Sequence, residues 1–266
     1  MKYVIDNDLH IHSQLSSCSR DPEQTPRRIL QYAKDNGLST ICLTDHFWDS
    51  SLEGASNWYA PQDFAHISAS RPLPQAEGIR FLFGCETEMN RFHTIGISKR
   101  CMDEMDFIIV PTTHFHMKDY TLFAEQIASP QARAAAWVER LAYLLHQDLP
   151  FRKMGVAHLL CSLICRERPI FLETISALSD DTLHSLFRRA AEVGIGIELN
   201  SGDCTYADGE AEIVLRPFRI AKEEGCKFYC GSDAHHPEGL DKAKAAFERA
   251  VDKLGLEETD KWKDEC

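Results

Sequence analysis

The chain has 266 residues, enough to bury a full core in one domain, and its 44% hydrophobic and 26% charged residues are those of an ordinary globular protein. With 29 basic against 41 acidic side chains the formal charge is −12, which repels polyanions and leaves no basic stripe for a long nucleic acid. No basic segment leads into an apolar stretch after Met1, and no apolar run approaches the roughly 18 residues of a membrane span, so a soluble, cytoplasmic protein with no membrane partner is expected.

In chain order, a short apolar strand is predicted over 3–6. Thr25 and Pro26 then look like an N-cap and first position of a helix that shows Ile29, Leu30 and Ala33 on one face and stops at Gly37. A strand follows at 40–44. The stretch 48–77, with its Pro, Ser and Gly content, reads as an irregular loop holding at most one helix, placed to shape a pocket. Strands are predicted at 80–85 and 107–112, and 119–149 reads as helical with an interruption at Pro130. After a strand at 154–158, Ser179 caps a helix that presents Leu183, Leu186, Phe187 and Ala190 and closes at Gly194. Strands at 195–199 and 227–231 and a helix over 239–254 complete the chain, and the polar tail from Leu256 is expected to fray.

These strands are short and continuously apolar, as strands covered on both faces are. Repeated strand-helix units without a linker predict a single domain over 1–266, an α/β fold closed as a distorted seven-stranded (β/α) TIM-like barrel; a doubly wound open sheet is the alternative. No Gly-x-Gly-x-x-Gly or Walker loop follows a strand, which removes the usual nucleotide-binding folds. Of the ten cysteines, Cys42, Cys85 and Cys230 fall in apolar runs and read as reduced, buried thiols. Cys161/Cys165 and Cys226/Cys230 lack a second pair nearby, so no zinc knuckle is expected.

The histidines carry the chemistry. His10 and His12 follow the first strand, His46 the second, Glu86 ends the third, His114 and His116 the fourth, and His158 the fifth. Glu198 and Asn200 end the sixth, Asp233 and His235 the seventh. In a parallel barrel these ends open on one face. Residues i and i+2 of an extended segment point the same way, so His10 and His12 can both face the axis, as can Asp233 and His235. Imidazoles with carboxylates suit zinc, manganese or iron. Glu86 can bridge two ions, and Asp8 could orient a ligand histidine from behind. Each feature alone has a plain alternative: a turn at Thr44-Asp45-His46, an ion-paired Glu86, a hydrogen-bonded core His158. Their convergence on one face is what argues for a metal site.

The runs Asp8-Leu9-His10-Ile11-His12-Ser13, Thr44-Asp45-His46, Gly84-Cys85-Glu86, His114, His158 and Gly231-Ser232-Asp233-Ala234-His235 together resemble the PHP (polymerase and histidinol phosphatase) family, over nearly the whole chain. The resemblance implies a distorted seven-stranded barrel with two or three divalent metal ions. It implies His10, His12, Glu86 and Asp233 around a first ion, Glu86, His114 and His158 around a second, and His46 with His235 at a third. Family members often place a further His or Asp shortly after the first histidines. Here that region reads Ser16-Ser17-Cys18-Ser19-Arg20-Asp21, with Cys18 or Asp21 as possible replacements.

The expected reaction is hydrolysis of a small phosphomonoester, histidinol phosphate-like or nucleotide-like, by in-line attack of a metal-bound hydroxide. Asp233, His235 and Glu86 stand closest to the chemical step. Arg20, His116 and Arg168 are candidates for binding substrate, with Arg91 and Arg166 as further possible phosphate clamps, because guanidinium grips phosphate through paired hydrogen bonds. The alternatives are an amidohydrolase-like hydrolase and a non-catalytic, metal-stabilised interaction domain.

Overall fold

Seven strands line up side by side in chain order, every pairing parallel. In the computed structural model, which describes residues 1–203 and 206–263, they are β1 (Asn7–Ile11), β2 (Thr40–Leu43), β4 (Arg80–Thr87), β5 (Phe107–Pro111), β6 (Met154–Ala157), β7 (Gly196–Asn200) and β8 (Lys227–Gly231). A two-residue segment, β3 (His46–Phe47), pairs with the end of β4 and sets His46 beside Glu86. The sheet runs β1-β2-β4-β5-β6-β7-β8 and curls until β8 meets β1. There the two edges are stitched partly by side chains. Cys230 N–H donates to Asn7 Oδ1 (2.9 Å) and Ser232 N–H to Asp8 Oδ1 (2.9 Å). Backbone bonds take over at the mouth, from Asp233 N–H to His10 O (2.7 Å) and His12 N–H to Ala234 O (3.2 Å). The result is a nearly closed parallel α/β barrel of the TIM type.

The inside of the barrel is filled by Leu9, Cys42, Leu82, Phe107, Ile109, Ala157, Tyr229 and Trp262. Tyr229 lies across Gly155 and reaches Val156 O with its hydroxyl (3.2 Å); a Cβ at 155 would occupy the space of the ring, so only glycine fits. Outside, helices bury apolar faces against the strands. Helix α1 (Pro26–Asn36) begins at the Thr25 cap and ends at a left-handed Gly37, and α6 (Asp180–Val193) runs from the Ser179 cap to a left-handed Gly194, as predicted. Helix α8 (Pro237–Leu254) buries Phe247, Ala250, Val251 and Leu254. The region 48–77 holds one short helix, α2 (Phe64–Ile67), and a 3-10 turn.

Four expectations are corrected. The first strand is Asn7–Ile11 and not 3–6, so His10 lies within it. Pro130 does not interrupt a helix but starts one: α4 (Pro130–Leu145) has Ser129 as its cap, and only a 3-10 turn at Ala124–Ile127 precedes it. Helices α3 (Lys99–Asp103), α5 (Arg168–Ser176) and α7 (Ala211–Glu223) were not predicted. The tail does not fray through its described part. Leu256 and Trp262 are buried, Trp262 N–H bonds to Phe228 O (2.8 Å), and the indole packs 5.0 Å from the Phe107 ring. Trp262 thus closes the end of the barrel opposite the histidines. Trp262→Ala should lower unfolding stability by about 3–5 kcal/mol in denaturant titration, the usual cost of deleting a buried indole, while leaving the metal content of the protein unchanged.

Candidate metal centre

At the open end of the barrel the strand ends bring His10, His12, His46, Glu86, His114, His158, Asp233 and His235 together. Ligand atoms form three overlapping groups, each within 4.8 Å: His10/His12/Glu86, Glu86/His114/His158 and His12/His46/His235. Asp233 joins the first, its Oδ1 lying 3.3 Å from His10 Nε2 and 3.2 Å from His12 Nε2. Glu86 is the pivot. Its Oε2 lies 3.4 Å from His12 Nε2, 3.7 Å from His10 Nε2 and 2.8 Å from His46 Nδ1, and its Oε1 lies 3.1 Å from His158 Nε2 and 3.8 Å from His114 Nε2. Burial alone would raise the Glu86 carboxyl, but the imidazoles of His46, His10 and His12 outweigh it and hold it well below the usual range. Asp233 is likewise held low against burial by His10, His12 and His235.

The outer hydrogen bonds decide which nitrogen of each ring faces inward. His10 Nδ1–H donates to Glu198 Oε1 (2.7 Å), His114 Nδ1–H to Glu88 Oε2 (2.7 Å) and His235 Nδ1–H to Asp233 O (2.8 Å). The Ser16 hydroxyl gives its proton to Asp45 (2.6 Å) and so accepts from His12 Nδ1–H (2.9 Å). Thr113 Oγ1 donates to His158 O (3.2 Å) and accepts from His158 Nδ1–H (2.6 Å). In each ring the inner nitrogen, Nε2, is therefore left as a bare lone pair. His10 Nε2 and His12 Nε2 sit 3.0 Å apart in this state. His46 Nδ1 and Glu86 Oε2, both fully buried, make no hydrogen bond despite their closeness.

Such a convergence of lone pairs and carboxylates is repulsive without positive charge at its centre. The carboxylates call for that charge: burial pushes His10 down, yet Glu198, Asp233 and Glu86 outweigh it and leave His10 well above an ordinary imidazole. One proton would satisfy one pair and leave the rest opposed. Divalent ions satisfy all of them, since ligands roughly 2.0–2.1 Å from a common ion lie about 3–3.5 Å from one another. The donor set, imidazole with carboxylate, fits zinc, manganese or iron.

Behind the ligands stands a layer that the sequence reading only partly identified. Glu198 accepts from His10 with one oxygen and from the His158 backbone N–H with the other, orienting two candidate ligands at once. It runs over Gly231, where any Cβ would collide with its carboxylate. Glu88 is held by the buried Arg140 (2.9 Å), which also donates to Thr121 O and Met89 O. The signal for Glu88 was available, because Glu86 and Glu88 stand in the same i, i+2 relation as His10 and His12. Arg140, Thr113 and Ser16 gave none. Asp8 does not orient a ring. Its carboxylate receives His10 N–H, Ser232 N–H and the Tyr32 hydroxyl, and burial pushes it up to about 7.

The cluster forms the floor of a cavity of about 530 Å³ walled by Trp58, Tyr59, His116, Met117, Leu163 and Cys18. Trp58 and Tyr59 come from the irregular 48–77 region. Burial and the neighbouring His114 hold His116 down to about 4. Of the arginines, Arg168 lines an adjacent cavity but its guanidinium is taken up by Glu210 through Nε (3.2 Å) and Nη2 (2.5 Å). Arg20 is exposed and lines neither cavity; Arg166 is exposed, and Arg91 lies over the rings of Phe92 and Phe123. Replacing Glu198 by Ala should lower metal affinity roughly 10–100-fold in competition with a chelator, as loss of an orienting partner commonly does; unchanged affinity would show that the two histidines hold their places without it.

Two known proteins resemble the chain over most of its length. A probable phosphatase of Acetivibrio thermocellus is 21% identical over 237 residues, covering 88% of this chain and 80% of that protein. Among solved structures, histidinol phosphate phosphatase of Lactococcus lactis subsp. lactis, complexed with zinc, L-histidinol and phosphate, has a TM-score of 0.54 at 17% identity, covering 92% of this chain and 93% of that one. Residues 8–202 match the PHP domain, and the chain belongs to that family.

Proposed function

We propose that the centre hydrolyses a small phosphomonoester with two or three divalent metal ions. The observation that carries this reading is the sharing of Glu86 between two ligand groups, one at each carboxylate oxygen, on the floor of a cavity sized for a small molecule. His10, His12, Glu86 and Asp233 would hold the first ion, and Glu86, His114 and His158 the second. His46 and His235, with His12 beside them, would hold a third. Ions so placed supply charge neutralisation at the phosphoryl oxygens and activation of a water molecule.

The chain's own groups do the rest. Glu198, Glu88 and Thr113 fix the imidazoles so that no ligand has to reorganise during the reaction. Trp58, Tyr59 and Leu163 shield the cavity from bulk water. Asp233 and His235 line the cavity beside Glu86 and would be the side chains next to the reacting phosphoryl group. His116 lines the same cavity and would contact the substrate. Arg168 would bind phosphate only by releasing Glu210, and Arg20 only by folding in from the surface.

Histidinol phosphate is one candidate substrate, supported by the L-histidinol and phosphate held in the Lactococcus lactis neighbour; nucleotide-like monoesters are the other. The acidic surface opposes a long nucleic acid, and among the described residues no helix is long and apolar enough to cross a membrane.

Dialysis against a chelator should abolish phosphate release from a monoester panel, and Zn²⁺ or Mn²⁺ should restore it. Full turnover by metal-stripped protein, or hydrolysis of amides and lactones instead of phosphoesters, would overturn the proposal. Glu86→Gln should lower kcat at least about a hundredfold, because one substitution would disturb both ligand groups that share the carboxylate; a merely structural Glu86 would show instead as lost stability with kcat per folded molecule retained.

A further inference from the structure

A second cavity, of about 380 Å³, lies against the metal cavity, with Leu163 and Asp233 lining both. Its wall carries two buried polar side chains that each leave one atom without a hydrogen-bond partner among the described residues. Asp203 is 4% exposed; its Oδ2 receives one long bond from Leu160 N–H (3.4 Å), and its Oδ1 has no hydrogen-bond partner among the described residues. Asn200, also 4% exposed, accepts Gly202 N–H on Oδ1 (2.8 Å), which fixes the amide, and the Nδ2 it leaves over has no partner among the described residues. A buried polar atom without a bond is costly and uncommon, and here two share one cavity. Neither residue belongs to the metal-ligand groups.

The two unmet atoms are one acceptor and one donor. A hydroxyl complements both, donating to the carboxylate and accepting from the amide. An ammonium group could use only the first, and the phosphate of the ester would be held at the metal centre. The fork of Arg168 at this cavity is already engaged by Glu210. We infer that this second cavity receives a hydroxyl of the substrate's alcohol portion, so that the ester cleaved is the phosphate of a polyhydroxylated alcohol, a sugar or the ribose of a nucleotide. The inference rests on the phosphomonoester reading of the metal centre and adds to it the part of the substrate that leaves.

The test compares ribose 5-phosphate with pentyl phosphate, which has the same chain length and no hydroxyls, on the zinc-loaded full chain. Two variants are measured beside the unaltered protein: Asp203→Ala, and Asn200→Asp, which keeps the oxygen that holds Gly202 and loses the donor. The unaltered protein should prefer ribose 5-phosphate by at least about tenfold in kcat/KM, as expected for a hydrogen bond to a charged group. Each substitution should erase most of that preference through KM, with kcat little changed and zinc per chain, by elemental analysis, the same. Equal turnover of both esters by the unaltered protein would overturn the subsite and leave the phosphoesterase reading standing. So would variants that slow both esters alike or lose zinc. Phosphate release from neither ester would overturn both.

Discussion

Everything at the open end of the barrel depends on keeping unprotonated imidazole nitrogens pointed at one another and at Glu86. Left alone, His10 Nε2 and His12 Nε2 at 3.0 Å would rotate apart or trap a proton. They do not rotate because each ring is bonded from behind, and each bond behind it is itself anchored. Glu198 is tied to the His158 backbone, Glu88 to Arg140, and Asp45 to Ser13 through both oxygens (2.8 and 2.7 Å). The outer acids and Arg140 are nearly fully buried. Taking so many charged groups out of water is expensive, and an interior of apolar residues would be more stable. What the arrangement gains is rigidity at the candidate metal ligands, which a cavity lined by freely rotating histidines would lack.

The seam between β8 and β1 ties fold and site together. Asn7 and Asp8 spend their side chains closing the barrel, while His10 and His12, further along the same strand, face the axis. Asp233 bonds back to His10 O through its N–H while its carboxylate joins the ligand group, so barrel closure and ligand placement are one event. The backbone is strained where this happens. Asp233 has φ 53° and His158 φ 28°, left-handed values that cost a non-glycine residue on the order of 1–3 kcal/mol each. Both are candidate ligands, which is where strain of this kind is tolerated.

How far the sequence could be read follows from the same physics. Strands β2, β4, β5, β6, β7 and β8 were legible because their residues are buried on both faces and read as continuous apolar runs. Strand β1 was misplaced because Asn7, Asp8 and His10 are poor strand residues by propensity, and only the seam and the metal site explain why they are there. Helix α7 carries Pro217 in its middle, which local reasoning takes as a break. The convergence of the candidate ligands was legible because strand ends in a parallel barrel meet by topology. The side chains behind them were mostly not: Arg140 sits on α4, far along the chain from Glu88, and nothing local marks it as a partner.

The same logic extends to the third candidate ligand group. His12, His46 and His235 gather closely, with ring centroids 4.0 Å apart for His12 and His235 and 4.4 Å for His12 and His46. Cys18 lines the same cavity but belongs to none of the ligand groups. Without a metal, desolvation at the cavity wall, with Glu86 and Asp233 nearby, pushes its thiol up to about 12. The first two groups share the Glu86 carboxylate, and the first adds Asp233. A third ion would rest on neutral imidazoles, with Glu86 already committed elsewhere. Charge balance would therefore rank the three groups, with an ion held by the third bound most weakly.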